Sequence, residues 1–186
     1  MGGVRLGDPG LFEFLERSRR DVLNGKAAAL KRVILASSAL KAHVVSADEK
    51  EGGLRRILNF GHTVGHALEA ATHYRRFLHG EAVAWGMLAA TRLAMQHGLS
   101  TDDAARITGL ICAYGPVPAL PARLNLQEVL RHMAADKKVR DGVIHFVLPS
   151  HIGEVKMVTG ITARQVTDAL RELMLRNPFR AAPKQK

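Results

Sequence analysis

The sequence predicts a mainly α, multi-helical domain carrying one small antiparallel β element. Three observations point there. Apolar residues recur at three- and four-residue spacing through most of the first 135 positions, with helix caps and stops between them. A period-two pattern begins only near residue 139, around the turn-forming pair Asp141-Gly142. No strand–helix alternation and no glycine-rich phosphate loop occurs, so a nucleotide-binding sheet is not expected in these 186 residues.

In order, Asp8-Pro9 reads as N-cap and first turn of a helix that keeps its spacing through Leu11, Phe14, Leu15, Ser18 and Val22 and stops at Asn24-Gly25. A second helix is expected over 26–47, with Leu30, Val33, Ile34, Ser37, Leu40, Lys41 and Val44 on one stripe. A third is expected over 54–71, a fourth from His79 or Gly80 to His97 with Gly98 as its stop, and a fifth over 101–114. The three prolines of GPVPALPARL make the next stretch an ordered connection, and a short helix follows over 127–135. Beyond it come a strand pair over 139–148, a further strand over 154–158, and a last helix opened by the capping box Thr162/Gln165 and running to about Arg176. Residues 1–178 are expected to form one domain and 179–186 a solvated basic tail.

The chemistry concentrates in residues 51–87, EGGLRRILNFGHTVGHALEAATHYRRFLHGEAVAWGM. His62 and His66 are four apart and would share a helix face, while His79 opens the next helix. Imidazoles from adjacent helices can share a divalent metal ion. Gly61 and Gly65 flank His62, and each costs roughly 1 kcal/mol against alanine in a helix, which suggests a close approach to the backbone there. Any one of these histidines alone reads as a structural residue of a buried helix pair. The set, with Glu51, Arg55, Asn59 and Glu81 around it, reads as a site.

This segment resembles the metal-site region of 3-dehydroquinate synthases, enzymes of the shikimate pathway to aromatic amino acids. The resemblance rests on LKAHVV around Lys41, DEKEGGLRRILNFGHTVGHALEA, LHGEAVAWGM, ADKKVRDGVIHFVLP and the following IGEV, and it covers nearly the whole chain. It implies a dehydroquinate synthase-like α-helical C-terminal domain. It also implies conversion of 3-deoxy-D-arabino-heptulosonate 7-phosphate to 3-dehydroquinate with loss of phosphate, a carbon–oxygen lyase reaction dependent on NAD and on zinc or cobalt. By the same resemblance His62 and His79 are metal ligands and His66 acts in proton transfer. Lys41, Arg55 and Asn59 hold the substrate's oxyanion groups, Lys137 or Lys138 adds a further substrate lysine, and Glu51 is an acidic residue of the site. The family's third ligand is a glutamate in an EVIK segment, which in register falls two residues before Met1, and Gly2 stands where the following lysine would be. The chain is therefore expected to be the C-terminal part without the NAD-binding domain, through truncation, a split gene or a misplaced start, and to be inactive alone. Its expected partners are an anionic sugar phosphate and a separate N-terminal NAD-binding domain; the family is often homodimeric.

Other classes are weaker. GHTxGHxxE and HGE belong to sugar phosphate cyclases at large, so a related cyclase is the nearest alternative, and a non-catalytic metal- or partner-binding remnant is the next. A zinc protease of the HExxH type requires Glu after the first histidine, where Thr63 stands. The net charge of +10, from 27 basic and 17 acidic residues, is scattered and not interleaved with aromatics, which does not favour nucleic acid. No run of 18 apolar residues and no signal-like N-terminus is present, so a cytoplasmic protein without membrane contact is expected. Leu6 stands where a myristoylation motif needs Ser or Thr. Cys112, the single cysteine, reads as a small apolar residue.

Overall fold

A computed structural model describes residues 4–5, 7–48, 54–135 and 143–181. The architecture is mainly helical with a small antiparallel sheet. The helices are α1 (Pro9–Arg17), α2 (Arg19–Leu23), α3 (Ala27–Ala47), α4 (His62–Ala71), α5 (His79–Met95), α6 (Thr101–Ala113), α7 (Leu126–Ala135) and α8 (Ala163–Arg176). The strands are β1 (Val4–Arg5), β2 (Phe146–His151) and β3 (Glu154–Val158), in the order β1-β3-β2. Short 3-10 turns cover Leu54–Asn59 and Pro178–Ala181.

The expected caps at Asp8 and Thr162 form, and Ser100 and Asn125 close two further helix ends. Asp8 Oδ1 accepts from Gly10 N at 2.8 Å, Ser100 Oγ from Asp103 N at 3.0 Å, and Asn125 Oδ1 from the amides of Gln127 and Glu128. Thr162 and Gln165 form the reciprocal box. Gly25 and Gly98 take positive φ at the ends of α2 and α5, where a β-carbon would be strained.

Three expectations are corrected, and a fourth falls outside the described residues. The first helix divides at Ser18 into α1 and α2. The helix expected over 54–71 is a 3-10 turn followed, after a break at Phe60-Gly61, by α4, with Gly61 left-handed at φ 82°. The α3 stripe is not buried along its length. Only Leu40 and Val44 pack, against Ile57, Phe60 and Val147, whereas Ile34 and Leu35 are 61% and 58% exposed. The hairpin that is described turns at Ile152-Gly153, with Phe146 opposite Val158 and Leu148 opposite Lys156. The pair Asp141-Gly142 lies outside the described residues.

The core is built around α5. Trp85, Leu88 and Leu93 are fully buried among Val64 and Leu68 of α4, Val129 and Met133 of α7, Phe146 and Leu148 of β2, and Leu170 of α8. The Trp85 indole donates to Pro118 O at 2.9 Å, so the proline-rich connection satisfies the one polar atom of that side chain. Phe179, placed by the sequence at the start of the tail, meets Trp85 edge-on at 4.9 Å between ring centroids. Among the described residues no helix is long and apolar enough to cross a membrane.

Candidate metal centre

Three glycines set the site. An added β-carbon on Gly86 would lie 1.8 Å from Gly61 O and 2.8 Å from Gly65 N. One on Gly65 would lie 3.1 Å from Ala82 O, and one on Gly61 2.7 Å from Val83 O. Helices α4 and α5 therefore meet backbone to backbone. The close approach expected from Gly61 and Gly65 is that of a neighbouring helix.

This crossing brings the first residue of α4, His62, against the first residue of α5, His79, with His66 one turn along α4. The ring centroids are 5.4 Å apart for His62–His66, 5.5 Å for His62–His79 and 5.6 Å for His66–His79. One ring nitrogen from each lies within 4.8 Å of the other two, so the three could hold a metal ion. His62 and His66 are half-buried and His79 is exposed. His62 Nδ1 is 3.2 Å from Phe60 O. A carbonyl only accepts, so Nδ1 carries the hydrogen and Nε2 the lone pair. His79 Nδ1 lies 3.2 Å from Glu69 Oε2, and the same logic applies.

The donor set is three imidazoles, one of them backed by a carboxylate, which suits a borderline ion such as zinc or cobalt better than a hard ion that seeks oxygen.

The remaining predicted residues distribute unevenly. Lys41 is exposed on α3, three positions before the anchored Val44. Arg55 and Asn59 lie on the 3-10 turn that leads into His62, Arg55 exposed and Asn59 half-buried. Glu51, Lys137 and Lys138 lie outside the described residues.

Two carboxylates that the sequence reading left without a role are resolved. Glu69 is buried at 8% exposure and takes the place beside His79; its spacing, seven after His62 and three after His66, already put it on their face. Asp48, equally buried, accepts from Arg55 N at 2.9 Å and ties the end of α3 to the turn before the site. Glu81, grouped with the site from sequence, instead accepts from Leu78 N at 2.8 Å and caps α5. Leu78, Gly80 and Glu81 also line a cleft of about 740 Å³ with Phe12, Phe60 and Pro149, and none of the three histidines lines it.

Comparison with known proteins agrees with this geometry. The family model for the 3-dehydroquinate synthase C-terminal region matches residues 4–139. A 3-dehydroquinate synthase of Solibacter usitatus is 50% identical over 165 residues, covering 88% of this chain and 46% of the relative. One of Koribacter versatilis is 46% identical over 168 residues, covering 89% and 45%. The chain thus spans about half the length of the curated relatives it matches. Among solved structures, the 2-epi-5-epi-valiolone synthase of Streptomyces hygroscopicus subsp. jinggangensis, with NAD+ and Zn2+ bound, aligns at TM-score 0.77 and 28% identity over 91% of this chain and 48% of that one. A 2-deoxy-scyllo-inosose synthase shares the fold at TM-score 0.62 and 23% identity over 72% of this chain and 38% of that one. With a matching family model over most of its length and relatives at up to half identity, the chain belongs to the 3-dehydroquinate synthase C-terminal family.

Proposed function

We propose that this chain is the metal-binding half of a 3-dehydroquinate synthase, acting with an NAD-binding half to convert 3-deoxy-D-arabino-heptulosonate 7-phosphate to 3-dehydroquinate with loss of phosphate. The observation that carries the reading is the cluster of His62, His66 and His79 at the crossing of α4 and α5, in a chain of this family.

His62 and His79 would hold a zinc or cobalt ion through Nε2, their Nδ1–H groups being engaged by Phe60 O and Glu69. When bound, such an ion supplies Lewis-acid polarisation of a substrate hydroxyl. His66 moves a proton at a ring nitrogen next to that hydroxyl, a task imidazole performs near neutral pH. Helices α4 and α5 both begin at the cluster, so the positive ends of two helix dipoles favour an anionic substrate there. Lys41, Arg55 and Asn59 bind its oxyanion groups, Lys137 or Lys138 adds a cation, and Glu51 orients a basic side chain. The hydride carrier comes from the other half.

The test is reassembly. The purified chain, mixed with an NAD-binding half of a relative, NAD and zinc, is expected to release phosphate from the seven-carbon substrate, and neither piece alone should do so. His66→Ala should abolish the release, and His62→Ala and His79→Ala should each lower bound zinc. A folded complex that releases no phosphate, or zinc content unchanged in both ligand variants, would reject the reading.

A further inference from the structure

Among the described residues, Glu69 is a buried carboxylate in contact with one of the three clustered histidines. We propose that Glu69 is a positioning residue. It holds the His79 ring with Nδ1 protonated and Nε2 turned toward His62 and His66. The inference deepens the metal reading and rests on it only for its second arm below.

Four observations carry it. Glu69 is 8% exposed, and a buried carboxylate requires a partner. That partner is His79, whose side chain is 59% exposed and which no apolar packing would hold in one rotamer. The two sit on different helices, so the contact also fixes where α5 starts relative to α4. Finally, the other defined ring is held differently, since His62 uses a backbone carbonyl as acceptor. A carbonyl cannot be replaced by a point substitution, but Glu69 can. His62 therefore serves as an internal reference in the same molecule.

An ionised carboxylate can only accept, so it dictates the tautomer, whereas an amide can accept from or donate to Nδ1 and dictates nothing. This makes Glu69→Gln the informative variant, because it keeps volume and packing while removing the instruction. Glu69→Ala removes both.

The first measurement is long-range 15N–1H NMR of the imidazoles in metal-free chain, with circular dichroism as a folding control. In the wild-type chain His62 and His79 are both expected as the Nδ1–H tautomer. In Glu69→Gln, His79 becomes a mixture of tautomers while His62 is unchanged. The second measurement is cobalt titration in competition with a chromophoric chelator. Removing a carboxylate behind a ligating histidine is expected to weaken affinity about 10- to 100-fold. A His79 that stays in a single Nδ1–H tautomer in both folded variants overturns the proposal. A wild-type chain that takes up no cobalt rejects the metal reading instead, and the tautomer result alone then decides the role of Glu69.

Discussion

Cys112 shows how little residue type says without surroundings. It is half-buried on α6 and lines a cavity of about 610 Å³ with Thr91, Met95 and Thr108. Burial pushes its thiol up to about 11, because the charged thiolate loses solvation there. A cysteine facing a cavity is thus chemically quiet, consistent with its reading as a small apolar residue. Iodoacetamide at about pH 8 should modify it roughly a hundredfold more slowly in the folded chain than in urea, since the thiolate fraction falls with the raised pKa. Equal rates in the two conditions would contradict this. The acidic residues teach the converse. Glu69 and Glu81 lie in the same motif-rich stretch, and only the structure separates a histidine partner from a helix cap. Spacing could have found Glu69, because it shares a face with His62 and His66. Nothing in the sequence marks Glu81 as a cap rather than a site group, since its acceptor role depends on where α5 begins.

At the scale of elements, the α4–α5 crossing decides the site. Gly86→Ala would drive a β-carbon into the backbone of Gly61, which no rotamer change relieves. The expected cost is ~1–3 kcal/mol or more, and separation of the helices should weaken cobalt uptake as well. The control is Gly109→Ala on α6, where an added β-carbon meets nothing within 4 Å. There the gain in helix propensity should stabilise the chain by ~0.5–1 kcal/mol. Thermal melts of the two variants should move in opposite directions, and a Gly86→Ala melt at or above wild type would show that the crossing tolerates separation. This crossing also explains what was legible beforehand. Caps and stops such as Asp8, Thr162 and Gly98 act within a few residues, so local sequence announces them. The break at Gly61 is harder to read from local sequence, because the backbone there packs against Gly86, twenty-five positions away in another helix. The exposed stripe of α3 was missed for the same reason. Its spacing is amphipathic, but whether a stripe is covered depends on what lies across it, and Leu40 and Val44 join a packed cluster while Ile34 stays exposed.

At the scale of the whole molecule, the N-terminal arm is joined to the helical body by a small number of polar ties. Arg106 on α6 makes a two-pronged contact with Glu16 on α1, at 3.1 Å from Nε and 2.7 Å from Nη2. Its guanidinium also lies 5.4 Å from the centre of the Phe12 ring. Tyr114 Oη donates to Leu15 O at 3.0 Å, and the Arg19 guanidinium donates to Ala113 O. The hydrogen bond from Arg106 holds the Glu16 carboxyl below the usual carboxylate range. A lowered folded-state value means that the contribution of Glu16 is fully present above its unfolded range near ~4.3 and is lost as pH falls through the lower folded value. Arg106 remains charged throughout. The arm should therefore loosen before the core as pH falls below the ordinary carboxylate value near ~4.3, seen as faster hydrogen exchange in α1 relative to α5 after correction for intrinsic rates. Because the pair is partly exposed, added salt should weaken it too. Glu16→Gln should abolish the pH dependence of the difference between α1 and α5 while leaving the α5 rates alone. If α1 in that variant still loosened over the same pH range, the tie would have to lie in groups other than Glu16. The packing of Phe12 on the core, which has no titratable group, would not account for such a pH dependence.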